Sequence, residues 1–251
     1  MKKFCLLSVI ACFFAGIVFT GCDNDDDGPG VSSINSITAK VEKGSEFDLD
    51  VVKAVMIFGD EEEYIVAEGN YTNGGFTIIL PSEVDDRYLE GIGDDMPEGI
   101  KISNASARIG AINLEGYKND VYEDYFFHAK IEISDKIFSL IAGGFVYVDR
   151  DVTVTGSHSE PIEDSDFTLT VTFNTLFKRG WNAVYASLAM SEKEPNIITV
   201  RAVTKNPGGL KWYYAGGEMD LLDLLPIQPV TIGSAINGQQ MLPIFQKSGI
   251  Q

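Results

Sequence analysis

The sequence predicts an all-β body, built either as an antiparallel β-sandwich or as a meander barrel. Short segments rich in β-branched and aromatic residues recur along the chain, turns containing Gly, Asn or Pro separate them, and no long helical period interrupts them. The clearest segment is Phe167–Phe173, in which apolar residues alternate with threonines. This alternation predicts a sheet with one buried face and one solvated face.

Residues 34–98 are predicted to form an N-terminal β region. Its strands are predicted at Asp50–Phe58, Tyr64–Glu68 and Phe76–Leu80. The last two strands flank Asn73-Gly74-Gly75, and this pattern predicts a hairpin because Asn-Gly tolerates positive φ at both central turn positions. Ser82–Asp85 is predicted to cap a short helical turn that runs to Leu89.

Residues 99–215 are predicted to form a C-terminal β region after a loop at Gly91–Gly99. Its strands are predicted at Ala105–Leu114, Tyr125–Ile133, Ile137–Ile141, Phe145–Val148, Val152–Thr155, Phe167–Phe173, Trp181–Leu188, Ile197–Thr204 and Leu210–Tyr214. Residues 156–166 are predicted to be a polar loop. The loop at Gly91–Gly99 leaves two arrangements open, one large sandwich of the immunoglobulin-like or transthyretin-like kind and two small domains.

The first 33 residues predict export and a lipid anchor. Residues 1–21 are typical of a signal peptide, because their apolar stretch follows two lysines and is short for a permanent membrane span. Gly21-Cys22 resembles the lipobox of bacterial lipoproteins, which implies cleavage between these two residues and acylation of the Cys22 thiol. The acidic and Gly-Pro-containing residues 22–33 predict an extended tether. An ordinary signal peptide with an incidental cysteine and an uncleaved membrane helix are the alternatives.

Charge and cysteine content exclude several classes of partner and site. The chain has 19 basic and 37 acidic residues, and removal of residues 1–21 changes its formal net charge from −18 to −20, since two lysines and no acid are lost. Nucleic acid is therefore not a predicted partner, because it is bound through basic patches. Cys5 and Cys12 lie in the predicted signal peptide, so with Cys22 acylated no cysteine remains for a disulfide or a thiolate metal site.

Two groups of segments in the body carry a family resemblance. Val51–Val55 with Asn73–Pro81 form one group, and Tyr147–Gly156, Lys178–Tyr185 and Leu210–Tyr213 form the other. Together they resemble cell-surface lipoproteins of Bacteroidetes with uncharacterised function. With the acidic run Asp23–Asp27, the resemblance implies a β-rich module that is exposed on the outer membrane. The tail, residues 216–251, departs from the family pattern, and an added strand, a strap over a sheet edge and disorder all stay open for it.

The candidate ligand-binding residues are the aromatic residues Trp181, Trp212 and Tyr214. Their flat apolar rings can stack on sugar rings, and their polar tips can form directional hydrogen bonds. Core packing is the alternative for each of them. Because Trp212, Tyr213 and Tyr214 alternate between the two faces of a strand, one sheet face cannot bury all three.

Asp149 and Asp151 are candidate ligands for a structural Ca²⁺, the only cofactor considered. Ca²⁺ takes six or more oxygen ligands, and loops of a β-sandwich can supply them. Neutralisation by Arg150, which lies between the two carboxylates, is the alternative. The chain has only two histidines, His128 and His158, which excludes a histidine-rich metal site.

The predicted function is that of a lipid-anchored β protein of the outer membrane. It is predicted to bind a glycan or another extracellular partner without catalysis, since no metalloprotease, P-loop or nucleophile-elbow pattern occurs. One alternative is a structural or assembly component of a surface complex or fimbria-like array, in which the tail pairs with a neighbour's sheet edge. The other is a glycoside hydrolase with paired carboxylates, because the separation of such groups in space cannot be read from sequence.

Overall fold

The computed structural model describes residues 33–216 except for residues 59–61, 94–95, 135–136, 163–164 and 192. The predicted signal peptide at residues 1–21 and the predicted processing and acylation at Gly21 and Cys22 lie outside the described residues. Of the predicted tether at residues 22–33, only Ser33 is described, and of the tail at residues 216–251, only Gly216 is described. Within the described ranges, no helix has the length and apolar character that a membrane span requires.

Fifteen strands make up most of the described chain, which confirms the predicted all-β class. They are β1 (Ser36–Lys40), β2 (Val51–Phe58), β3 (Glu62–Asn70), β4 (Gly75–Ile79), β5 (Glu90–Gly91), β6 (Ile100–Ile102), β7 (Arg108–Ala111), β8 (Asn113–Lys118), β9 (Val121–Ser134), β10 (Ile137–Val148), β11 (Val152–Pro161), β12 (Thr168–Phe177), β13 (Gly180–Ser191), β14 (Glu194–Val203) and β15 (Lys211–Tyr214). Two single-turn 3-10 helices, Gly44–Glu46 and Asp86–Tyr88, also occur. The second is the predicted helical turn, and the side chain of Asp85 caps it by accepting a hydrogen bond from the backbone N–H of Arg87.

Thirteen strands form one large curled sheet, and β1 and β4 form a small antiparallel sheet. The order along the large sheet is β3-β2-β8-β9-β10-β13-β14-β12-β11-β6, with β15 paired to β9, and with β7 paired to β5 and β10. In this sheet β2 pairs with β8 through residues 51–55, so the predicted regions 34–98 and 99–215 share one sheet.

The position of β14 makes the large sheet mixed rather than purely antiparallel. A two-residue turn, Lys178-Arg179, joins β12 to β13, yet β14 lies between these two strands. It pairs antiparallel with β13 and parallel with β12, where residues 168–174 lie opposite residues 197–203. Because β14 ends at Val203 while β12 continues to Phe177, a recess forms beside the last residues of β12.

Two cores lie on opposite faces of β10 and β13. On β10, Phe145 and Tyr147 belong to the main core, whereas Val146 and Val148 belong to the second core. The main core fills the space between the small sheet and the large sheet, and its fully buried members include Ile37, Met56, Ile78, Leu114, Phe126 and Trp181. Since both faces of β10 and β13 are covered, these strands form the centre of the protein.

The predicted turn at Asn73-Gly74 is confirmed, but the predicted pairing of its two arms is wrong. Asn73 and Gly74 have φ values of 54° and 74°, as this turn requires. The arms separate after one bridge between Thr72 and Gly75, and β3 then pairs with β2 while β4 pairs with β1. The chain passes from one layer to the other here because Phe76 and Ile78 of β4 are buried in the main core.

The prediction of a polar loop at residues 156–166 is also wrong, because β11 continues through most of this segment. Ser157 Oγ lies 3.1 Å from Thr172 Oγ1 on β12, and Ser159 Oγ lies 2.9 Å from Thr170 Oγ1. Hydroxyl pairs across the strands therefore take the place of the apolar pairs that mark a strand in sequence.

Candidate functional site

The three aromatic residues predicted as ligand contacts belong to the main core. The exposed fraction is 2% for Trp181, 6% for Trp212 and 4% for Tyr214. Trp181 Nε1 donates a hydrogen bond of 2.8 Å to the backbone oxygen of Pro81. The Trp212 ring stands edge-on to Phe76, with 5.1 Å between the ring centroids. Core packing, the alternative that the sequence left open, therefore holds for all three residues.

The two carboxylates predicted as calcium ligands are held by cations of the chain itself. Asp149 Oδ2 accepts a hydrogen bond of 2.6 Å from Arg150, and its Oδ1 accepts one of 2.8 Å from the backbone N–H of Arg108. Asp151 Oδ2 accepts one of 2.8 Å from Lys178 Nζ. Partial burial acts to raise the pKa of Asp149, but the hydrogen bonds from Arg150 and Arg108 outweigh it and lower that pKa. In the described part of the chain, no three His, Cys, Asp or Glu side chains converge as a metal site.

A polar surface on β11, β12 and β14 is the strongest candidate for a binding site. Side chains alternate between the two faces of a strand, and Leu169, Val171 and Phe173 share one face of β12, as the sequence predicted, where they pack with Val200. The threonines of β12 lie on the opposite face. We call the surface formed by Ser157, Ser159, Thr170, Thr172, Asn174, Thr199 and Arg201 the hydroxyl face.

Strand register aligns the side chains of the hydroxyl face in rows. One row consists of Ser157, Thr172 and Arg201, and the next consists of Ser159, Thr170 and Thr199. Neighbouring strands lie about 4.8 Å apart, and alternate residues along one strand lie about 6.7 Å apart. The hydroxyl groups therefore form a regular array of hydrogen-bond donors and acceptors, exposed on β11 and half-buried on β12 and β14.

A cleft of about 600 Å³ opens at the end of the hydroxyl face, where β14 leaves the sheet. This volume lies in the range of small-ligand sites. Its polar lining consists of Thr153, Asn174, Thr175, Arg201, Thr204, Lys205 and Asn206. The side chain of Leu176, which is 39% exposed, contributes an apolar surface beside them. Among the residues that the structure describes, none that lines this cleft carries a carboxylate.

Arg201, one of the two cations of the cleft, differs from the other four arginines of the chain in its ion pairing. Four arginines lie 2.6–3.8 Å from an Asp or Glu oxygen: Arg87, Arg108, Arg150 and Arg179. In the described ranges of the chain, neither Arg201 nor Lys205 has such a contact, and both residues are exposed. The cleft is therefore a locally positive region on a protein whose net charge is −18.

Sequence reasoning did not select Arg201, Lys205 or the threonines as site residues. The alternation in residues 167–173 correctly predicted that the threonines of β12 lie on the face opposite Leu169, Val171 and Phe173. It could not show that β11 and β14 supply matching polar residues in register. The position of Arg201 within the apolar run 197–204 is the one local signal that marks it.

A second unusual group is Glu115, which lies on β8 away from the hydroxyl face. Its side chain is only 8% exposed, and its Oε2 accepts a hydrogen bond of 2.8 Å from the Tyr117 hydroxyl. The Lys53 ammonium lies 3.9 Å from the centroid of the Tyr117 ring. Burial raises the pKa of Glu115, and the nearby Glu63 adds to the rise, while the hydrogen bond from Tyr117 opposes it.

Replacement of Glu115 by glutamine is expected to stabilise the protein near neutral pH. Because the folded state raises the pKa of Glu115, its contribution to stability is complete below the ordinary value of 4.5 and is lost as pH rises through the folded pKa. Glutamine keeps an acceptor for Tyr117 and removes the charge. Urea unfolding should show Glu115→Gln to be more stable than the parent protein near pH 7, with a smaller difference near pH 4.

The exposed residue Glu194 provides the control for this prediction. Glu194→Gln makes the same chemical change on an exposed side chain, so we expect it to change the free energy of unfolding by only about 0.5 kcal/mol or less. An identical pH dependence for Glu115→Gln and the parent protein would show that Glu115 is not under strain in the folded state.

Comparisons of this chain with protein-family models, with curated proteins and with solved structures gave no match. The chemistry of the candidate site therefore rests on its own geometry. Hydroxyl, amide and guanidinium groups can bind and orient a ligand. The described residues that line the cleft include no Asp, Glu, His or Cys, which are the usual acids, bases and nucleophiles of hydrolases.

Proposed function

We propose that this protein is a lipid-anchored module of the outer membrane that binds a glycan on its hydroxyl face without catalysis. The observation that carries the proposal is the continuity between the rows of hydroxyl groups and the 600 Å³ cleft at their end. A binding surface of this kind matches a ligand that is extended and polar along its whole length.

The side chains of the hydroxyl face suit a polyhydroxylated ligand. Serine and threonine hydroxyls both donate and accept hydrogen bonds, and asparagine offers a carbonyl and an amide, so each can pair with a sugar hydroxyl in either role. Leu176 and Val203 supply apolar contacts for the C–H groups of a sugar ring. These groups take the place of the aromatic platform that the sequence had suggested.

The N-terminal sequence supports a location at the cell surface. Acylation of Cys22 with two or three chains would hold the protein at a membrane almost permanently, because each buried methylene contributes about 0.8 kcal/mol. The tether of residues 22–33, fully extended, would reach about 40 Å. The β body would then stand clear of the bilayer, where it can meet an extracellular polysaccharide.

Binding to a broad glycan array is the test of this proposal. The protein without residues 1–21 and with Cys22→Ser is expected to bind at least one polysaccharide, and Thr172→Val is expected to weaken that binding about tenfold or more. Valine keeps the shape and the strand propensity of threonine but removes one hydroxyl from the array.

Thr77 on β4 provides a matched control for this experiment. It is an exposed strand threonine that, like Thr172, shares a hydrogen bond with a hydroxyl on the neighbouring strand, but it lies on the small sheet. Thr77→Val should bind as the parent protein does. A blank array with correctly folded protein, shown by circular dichroism, would overturn the proposed function.

A further inference from the structure

The charge around the cleft restricts the chemistry of its ligand. Most arginines of this acidic chain are neutralised by the chain's own carboxylates, whereas Arg201 and Lys205 have no such partner among the described residues. An exposed cation without an internal partner stays available to an anion from outside. On a protein with a net charge of −18, a cleft that holds two such cations, with no carboxylate among its described lining residues, attracts anions locally.

The neighbours of Arg201 indicate what the anion is attached to. In the register of the sheet, Arg201 lies between Ser187 on β13 and Thr172 on β12, and Ser157 follows on β11. A guanidinium group binds a carboxylate or a sulfate through two parallel hydrogen bonds. The hydroxyl groups on either side can then bind hydroxyls that the same molecule carries next to its acidic group.

We infer that the glycan bound by this face is an acidic saccharide, whose carboxylate or sulfate group pairs with Arg201. The inference rests on the proposed glycan-binding function and adds the chemical class of the ligand. Lys205 strengthens the attraction as a second cation in the same cleft. An acidic peptide would satisfy Arg201 but would leave most of the hydroxyl rows without partners, and for that reason the saccharide is the ligand that the surface fits.

Calorimetric titration of the protein without residues 1–21 and with Cys22→Ser tests this inference. The probes are polygalacturonate and its methyl-esterified form, dextran sulfate and unmodified dextran, and poly-glutamate. We expect at least one of the two acidic polysaccharides to bind about tenfold or more tightly than its neutral counterpart. A difference within the polygalacturonate pair indicates a carboxylate ligand, and a difference within the dextran pair indicates a sulfate ligand. We also expect this binding to weaken with added salt.

Variants then assign the effect to the cleft. Arg201→Ala should weaken binding of the acidic polysaccharide about tenfold or more. Arg201→Lys should bind it with an affinity between those of Arg201→Ala and the parent protein, because lysine keeps the charge but not the bidentate geometry. Lys193, an exposed lysine between β13 and β14 at the far end of β14, provides the control. Lys193→Ala removes the same charge from the chain and should bind as the parent protein does.

The outcomes separate this inference from the proposed function. Equal binding of neutral and acidic polysaccharides, with Arg201→Ala unaffected, would overturn the inference and leave glycan binding intact. Equal binding of poly-glutamate and the acidic polysaccharides would overturn the saccharide class. If the folded protein bound no polysaccharide, either in the calorimetric titration or on the glycan array, the proposed function itself would be overturned.

Discussion

Replacement of Trp181 by alanine is expected to lower the free energy of unfolding by about 3–5 kcal/mol. The side chain is 2% exposed in the main core, and its ring stands edge-on to Tyr147 at 5.4 Å between the centroids. The substitution leaves a cavity and also removes the 2.8 Å hydrogen bond from the indole to the carbonyl of Pro81. Since small folded domains are stable by only about 5–15 kcal/mol, this loss is a large part of the total.

Denaturant unfolding followed by circular dichroism measures this loss, and Trp212 remains as a fluorescent probe because the chain has two tryptophans. Trp181→Phe keeps most of the buried ring and loses the hydrogen bond, so we expect a smaller loss of about 1–3 kcal/mol. Tyr122, which is 48% exposed and stands edge-on to Tyr117, is the surface control, and Tyr122→Ala should cost about 1 kcal/mol. Equal losses for Trp181→Ala and Tyr122→Ala would contradict the position of Trp181 in the core.

Sequence patterns predicted those parts of the fold that depend on residues close together in the chain. The alternation in residues 167–173 determined which face of β12 is buried, and the Asn73-Gly74 turn has the positive φ values that its residues favour. The alternation of residues 212–214 is also confirmed. Tyr213 lies on the face of β15 opposite its two neighbours and stacks on Phe127 at 5.3 Å between the centroids.

Pairing between distant strands could not be predicted, because it depends on contacts that no local pattern encodes. The tight turn after β12 favours a simple hairpin with β13, yet β14 lies between the two strands. The polar residues 156–161 resemble a loop in isolation but form a strand because their backbone pairs with β12, where Ser157 and Ser159 also meet threonine hydroxyls. The arms on either side of Asn73-Gly74 separate for a similar reason, since each finds a better partner in another sheet.

The candidate site could not be predicted from the sequence either, because it also depends on contacts between distant strands. Aromatic residues drew attention because they bind sugars in many proteins, but in this fold two sheets enclose Trp181 and Trp212. Arg201 is a candidate because no carboxylate among the described residues pairs with it. The absence of such a pair depends on how four strands are arranged in space, which sequence does not show. Of the candidate site, only the face of β12 on which the threonines lie followed from the sequence.

Replacement of Asn182 by aspartate is expected to destabilise the protein by on the order of 3 kcal/mol or more. Asn182 lies near the start of β13, next to the turn from β12, and is fully buried. Its Nδ2 donates hydrogen bonds of 2.7 Å and 2.8 Å to the carbonyl oxygens of Lys178 and Gly180, and its Oδ1 accepts one of 2.8 Å from the Lys178 N–H. Aspartate replaces both donors by an oxygen, so two carbonyl groups face a buried negative charge.

Three comparisons isolate this effect in urea unfolding. Asn182→Ala leaves the same backbone groups unsatisfied but adds no charge, so we expect a smaller loss than for aspartate. Asn174→Asp makes the identical chemical change at an exposed position of β12 and should be close to neutral. The deficit of Asn182→Asp should shrink in acid, because a protonated carboxyl regains one donor for a carbonyl group. A deficit that stays constant as the pH falls would mean that the buried charge is not its cause.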